Sequence, residues 1–222
     1  MAKIPLNGIV CSSSRELKPM MHAWQRLMKS LGTEWADKKH GSQRDAPWWY
    51  RERTAVGFLA GAIWRSGGEC LEEYAAEKKH RSRRWRKKKS QGRGDLMFSL
   101  NRQKWYVAEA KLMETSLDSR IPIRRKAREK LKRARRDAVR TPSYGLAKRI
   151  GLLFVVPYAT SQPTESQIRD WIGDLVKLRK KTALAWTFPR MAADLSWPDK
   201  KNGKRYYHPG IALLVRPPRS QE

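Results

Sequence analysis

Acidic residues are scarce in this chain. Its 21 Asp and Glu stand against 49 Lys and Arg, which leaves a net charge of +28. No fold requires that imbalance, and self-repulsion makes it costly for a compact state. A polyanionic partner accounts for it, and a phosphate backbone is the commonest polyanion. Cysteine is almost missing: Cys11 and Cys70 stand alone, without CxxC spacing. A zinc site or a disulfide framework is therefore not expected, and a reducing cytoplasmic setting fits. No stretch approaches about 18 uninterrupted apolar residues, so no membrane span is expected. Met1–Leu6 lacks the apolar core of a signal peptide. His22, His40, His80 and His208 show neither metal-ligand nor triad spacing. The chain has no internal repeat, no clear linker and no base-reading module.

Apolar residues still make up 40% of the 222 positions, and ten are Trp. That supply is enough for one well-packed domain rather than a disordered chain. Residues 15–31 carry Leu17, Met20, Met21, Trp24, Leu27, Met28 and Leu31 at helical spacing, with Gly32 as the stop. Residues 33–47 read as a polar loop. A second helix is expected from Trp49 to Arg65, striped by Val56, Leu59, Ala60 and Ile63. Residues 69–77 read as a strand, although their helix propensity competes. Two further strands follow at 95–100 and 104–112, joined by the short polar Asn101–Lys104 connection. A basic helix is expected over 121–140, a buried strand over 149–157 and a helix over 165–180 that Thr164 caps. Short strands at 183–188 and 210–216 flank a basic loop at 198–208. Helix, three strands, helix and strand in this order predict an α/β fold with a mixed central sheet flanked by helices.

The chemistry concentrates on the two middle strands. Asp95 opens one, in Gly94-Asp95-Leu96-Met97-Phe98. The other carries Glu109-Ala110-Lys111, in Tyr106-Val107-Ala108-Glu109-Ala110-Lys111. Glu109 and Lys111 are two apart, so a strand points both to one face. Taken singly, Asp95 is an ordinary strand-edge turn residue, and Glu109 and Lys111 make a solvated face. Together, on a strand as apolar as Val107, Ala108 and Ala110 make this one, they call for partners, because a buried carboxylate needs a counter-ion or a metal.

A basic run, 78–94, leads straight into Asp95. It holds Lys78, Lys79, Arg81, Arg83, Arg84, Arg86, Lys87, Lys88 and Arg93 around Trp85. It reads as a glycine-punctuated loop that follows a phosphate backbone, with Trp85 able to stack on a base or enter a groove. On the following helix, Arg124, Arg125, Arg128, Lys132, Arg135 and Arg136 extend the charge. Phosphate contacts of this kind fix position without reading sequence.

The acid, the gap and the ExK tripeptide resemble the PD-(D/E)xK nuclease superfamily, over about residues 49–157. The resemblance implies a restriction-endonuclease-like αβββαβ core in a domain spanning 49–222, with 1–48 as an N-terminal helical extension. It also implies that Asp95 and Glu109 bind Mg²⁺, for which Mn²⁺ can substitute, with the Ala110 carbonyl as a further ligand. Lys111 would orient or deprotonate the attacking water, or stabilise the pentavalent phosphate. Glu52 matches the superfamily's helix glutamate, with Glu73 as its rival. Gly94 stands where the superfamily usually has proline. The activity so implied is Mg²⁺-dependent hydrolysis of phosphodiester bonds by a nuclease of prokaryotic or phage origin, acting in defence, mobile-element processing or recombination. DNA is favoured over RNA, and a homodimer or partner protein is needed to cut both strands. The alternative is a non-catalytic, basic nucleic-acid-binding or assembly protein.

Overall fold

The computed structural model describes residues 4–11, 14–37, 44–80, 88–119, 121–141, 147–199 and 203–217, with the backbone alone for 77–80 and 88–91. The strands are β1 (Asn7–Val10), β2 (Glu69–His80), β3 (Lys88–Ser99), β4 (Trp105–Ser116), β5 (Lys148–Tyr158), β6 (Ala183–Thr187), β7 (Ser196–Pro198), β8 (Arg205–Tyr207) and β9 (Ile211–Arg216). The helices are α1 (Lys18–Glu34), α2 (Glu52–Arg65), α3 (Ile123–Arg140) and α4 (Glu165–Val176). Seven strands form one mixed sheet in the order β1-β6-β9-β5-β4-β3-β2, and β7 and β8 form a separate two-stranded ribbon. Among the described residues only the β4–β5 pair is parallel, and α3 makes the crossover between them. The α/β class and the helix-flanked mixed sheet expected from the sequence are both present.

Strand alternation divides the core into two layers. Ile150, Leu152, Phe154 and Val156 of β5 join Ala108 and Ala110 of β4 beneath α1 and α2. Leu153 and Val155 face the other way, against Ala127 and Leu131 of α3 and Ile168 and Ile172 of α4. Among the described residues, no helix is long and apolar enough to cross a membrane.

Several boundaries differ from the sequence reading, each for a physical reason. The first helix does not stop at Gly32 but runs on to Glu34. A Cβ at position 32 would come within 2.5 Å of the Trp48 ring, so this glycine is a close-packing contact rather than a stop. The second helix starts at Glu52, because Pro47–Trp49 form a separate 3₁₀ turn. The stretch before the first helix, where the sequence pattern gave no strand, contains β1, an edge strand paired with β6. The helix expected to reach 180 ends at Val176. The basic loop expected over 198–208 contains β8, which pairs with β7 at the loop's start.

The largest change concerns the basic run. Positions 78–80 and 88–94 are not loop: they lengthen β2 and β3 into twelve-residue hairpin arms, paired in register from Tyr74↔Gly94 to His80↔Lys88. Antiparallel pairing needs only backbone groups. Residues of poor β propensity can therefore be drawn into the hairpin. Lys78, Lys79 and Lys88 lie on these arms. Arg81, Arg83, Arg84, Trp85, Arg86 and Lys87 fall outside the described residues.

Candidate active site

Asp95 sits where pairing lapses on both sides of β3. The β3–β4 ladder ends at Leu96↔Ala108. The β2–β3 ladder runs through Glu72↔Leu96 and Tyr74↔Gly94 but skips the position between them. There Glu73 takes a left-handed backbone, with φ at 50°. A non-glycine residue in that region costs on the order of 1–3 kcal/mol, and such strain gathers at functional sites.

The lapse frees the edge of β4. Alternate N–H groups of a strand point to opposite neighbours, so those of Ala110 and Leu112 face the side that β3 has left. Two carboxylates take them. Asp95 Oδ2 accepts the Ala110 N–H at 2.7 Å. Glu52 Oε2 accepts the Leu112 N–H, also at 2.7 Å. Glu52 reaches this edge from the first turn of α2. Two acids, one from a strand and one from a helix, thus stand at successive positions on one open backbone edge.

Glu109 and Lys111 lie on the α3 side of the same strand. Extending the Leu96↔Ala108 register by one residue sets Asp95 opposite Glu109, and opposite residues share a face. Glu109 is 3% exposed. Its Oε1 accepts a 2.7 Å hydrogen bond from the hydroxyl of Thr141, the residue that ends α3. Lys111 Nζ lies 3.8 Å from Asp137 Oδ2, one turn earlier on that helix. Gly151 pairs with Glu109 on β5. A Cβ there would come within 2.6 Å of the Arg135 backbone nitrogen, so α3 can lie this close only because 151 is glycine.

Sequence reasoning missed Tyr74. Its ring covers Gly94, and a Cβ at 94 would come within 2.5 Å of the phenolic oxygen. That hydroxyl is buried without a hydrogen-bond partner. Burial and then the negative charges of Glu109 and Asp95 push its pKa up to about 12, so it stays a protonated donor. The signal available in the sequence was a tyrosine directly after the acid opposite Asp95. Glu73 itself turns outward, ion-paired with Arg53 at 2.8 Å and with Arg93 at 3.2 Å. These arginines hold its carboxyl below the usual range.

The basic surface also has a defined shape. Lys126, Lys130, Arg133 and Arg136 line a groove of about 540 Å³ that α3 forms against Leu112, Met113 and Glu114 of β4. Of the helix residues expected to meet phosphate, Arg136 is in this groove, whereas Arg128 and Lys132 are exposed elsewhere on α3. Arg135 is not a surface residue: it is only 7% exposed. Arg93 is exposed and occupied by Glu73.

The donors suit a hard divalent cation. Mg²⁺ takes oxygen ligands, keeps several waters and needs only one or two carboxylates. Asp95 and Glu109 supply two. The Ala110 carbonyl points to the same edge as its N–H. Each carboxylate oxygen has two acceptor sites, so a single hydrogen bond does not exhaust it. Among the described residues, no group of three His, Cys, Asp or Glu side chains is arranged to hold a metal, so waters or substrate oxygens must complete any such shell. Compared with known proteins, the chain matches no family model, no curated protein and no solved structure.

Proposed function

We propose that this protein is a metal-dependent nuclease that hydrolyses phosphodiester bonds, with DNA as the favoured substrate. One observation carries this reading: Asp95 and Glu52 bind successive N–H groups on the β4 edge that also bears Glu109 and Lys111. The element order α2-β2-β3-β4-α3-β5 supports a restriction-endonuclease-like core. The net charge of +28 and the cationic groove on α3 support a phosphate-backbone substrate.

In this reading Asp95, Glu109 and the Ala110 carbonyl would hold Mg²⁺, and Mn²⁺ could replace it. Bound there, the ion would lower the pKa of water and offset charge on the reacting phosphate. Lys111 Nζ stands at the long separation of 3.8 Å from the Asp137 carboxylate. It can turn to orient a nucleophilic water or meet a phosphoryl oxygen, and its cation stabilises the negative charge that develops. Glu52 fixes the edge through Leu112 and can accept from a water lying along it. The Tyr74 hydroxyl can donate to a phosphate oxygen. Cutting both strands of a duplex requires two such sites, hence a second copy or a partner.

The test is a plasmid-nicking assay in Mg²⁺ and in EDTA, with wild type, Glu109→Ala and Lys111→Ala. Cleavage in Mg²⁺ alone, reduced at least about a hundredfold in both variants, supports the assignment. Equal cleavage by all three proteins would sink it. Salt-sensitive binding with no cleavage of any nucleic acid would favour the non-catalytic binding protein.

A further inference from the structure

A second feature lies beside this edge and takes no part in holding the acids. It is a groove of about 1070 Å³ between the N-terminus of α2 and the β7–β8 ribbon. Its near end is Glu114, two residues beyond the Leu112 that binds Glu52, together with Arg51 and Arg53. Its walls are aromatic. The Trp49 and Trp197 ring centroids stand 5.4 Å apart and tilted by 65°. Tyr206 meets Tyr158 edge-on at 5.6 Å. Trp197 is 55% exposed and Tyr50 45%, so large ring faces remain open to a ligand.

Two buried polar atoms in the walls have no protein partner. One is the Trp49 Nε1–H, a donor. The other is His208 Nδ1. The His208 ring already bonds the Pro157 backbone, and burial pushes its pKa down to about 4. The imidazole is therefore neutral at physiological pH, and Nδ1 is an acceptor. A buried polar atom without a partner is costly. Both atoms are closed off from solvent, so what the groove itself presents to a ligand is the open faces of Trp197 and Tyr50, on which a planar base can stack.

We propose that this groove receives an unpaired base of a single-stranded DNA segment, next to the phosphate that meets the β4 edge. Bases in a duplex stack on one another, so these rings can cover a base only where the strand is unpaired. Arg51, at the end nearer the acids, suits the phosphate that follows, whereas Arg53 is held by Glu73. The assignment rests on the nuclease reading for its place beside a reacting phosphate. The binding it predicts does not require cleavage.

The experiment measures binding in EDTA, where cutting and binding separate. Short labelled oligothymidylate is compared with an abasic strand of equal length, for wild type, Trp197→Ala, Tyr50→Ala and Trp197→Phe. Wild type should bind the thymidylate about 10- to 100-fold more tightly than the abasic strand. Trp197→Ala and Tyr50→Ala should each reduce that preference, and Trp197→Phe should keep most of it. Both truncated side chains are largely exposed, and melting curves verify that the variants fold; should one fail, the other decides. Equal wild-type affinity for the two strands would overturn the proposal. So would a full wild-type preference in the folded alanine variants. Neither result bears on the Glu109 and Lys111 cleavage test, and failure of that test leaves the base preference unchanged.

Discussion

The Thr141 hydroxyl donates to Glu109 Oε1 at 2.7 Å, and both residues are buried. This bond ties the end of α3 to the strand that carries the candidate metal ligand. Replacing Thr141 by valine preserves shape but removes the donor from a buried carboxylate. Losing a partner of that kind costs about 1–3 kcal/mol. Urea denaturation should show Thr141→Val destabilised by that amount and Thr141→Ser much less affected. The Thr141→Val cost should shrink in a Glu109→Gln background, since the two residues share one interaction.

Glu52 and Glu73 were rival third acids, and their surroundings give different expectations. Glu52 binds the Leu112 N–H on the β4 edge. Glu73 is spent on two exposed arginines, Arg53 and Arg93. With Glu52 as the proposed third acid, Glu52→Gln should lower Mg²⁺-dependent nicking by at least about tenfold, the loss expected when a charge at a reacting centre is removed. Glu73→Gln should change nicking less than about threefold, because exposed ion pairs are worth little. The reverse ranking in a nicking time course would move the third acid to Glu73.

The residues of the site were easier to read from the sequence than the contacts that hold them. Asp95 and Glu109-Ala110-Lys111 stand out because strand alternation and apolar neighbours are local signals. Thr141, Asp137 and Tyr74 do not, since each reaches the site only through packing across or beside the sheet. Arg135 looked like surface charge in a basic helix, yet it is buried where α3 approaches Gly151. Strand β1 was illegible for a related reason: its four residues pair with β6, about 180 positions later, where no local pattern points. The hairpin arms around the basic run were misread because lysine and glycine seldom mark strands. Backbone pairing with β2 nevertheless fixes their conformation.

Tyr74 and Gly94 are matched in size. A Cβ at 94 would lie 2.4 Å from the tyrosine ring. Gly94→Ala should thus cost about 1–3 kcal/mol by overpacking. Tyr74→Ala in the same chain should relieve most of that cost, whereas Tyr74→Phe, which keeps the ring, should not. On its own, Tyr74→Phe should leave stability unchanged or raise it, because it removes a buried hydroxyl that has no partner. Chemical denaturation of the four variants checks both statements. A loss of nicking in stable Tyr74→Phe would give the hydroxyl a part in the reaction.

The cationic groove along α3 makes a prediction that needs no cleavage. Each lysine or arginine that meets a phosphate releases counter-ions, and its removal lowers the salt slope of duplex binding by about one. Lys130→Ala and Arg133→Ala, both in the groove, should each show that reduction. Arg128→Ala and Lys132→Ala lie on α3 outside it and should show less. Affinity titrations across a series of salt concentrations separate the two pairs. Equal slopes in all four variants would mean that DNA crosses the helix by another face.

His208 should make stability depend on pH. Burial lowers its pKa from 6.5 to about 4 in the folded protein. Between those values the unfolded chain binds a proton that the folded imidazole refuses. Stability then rises with pH across that window, so it is lost as pH falls from about 6.5 toward 4 and is fully present above it. The loss attributable to this residue is at most about 3.5 kcal/mol. Thermal melts of wild type and His208→Gln from neutral to mildly acidic pH measure it as the difference between the two curves. A wild-type curve parallel to that of the variant would show that the imidazole titrates at its ordinary value and is less buried than its place beside Pro157 requires.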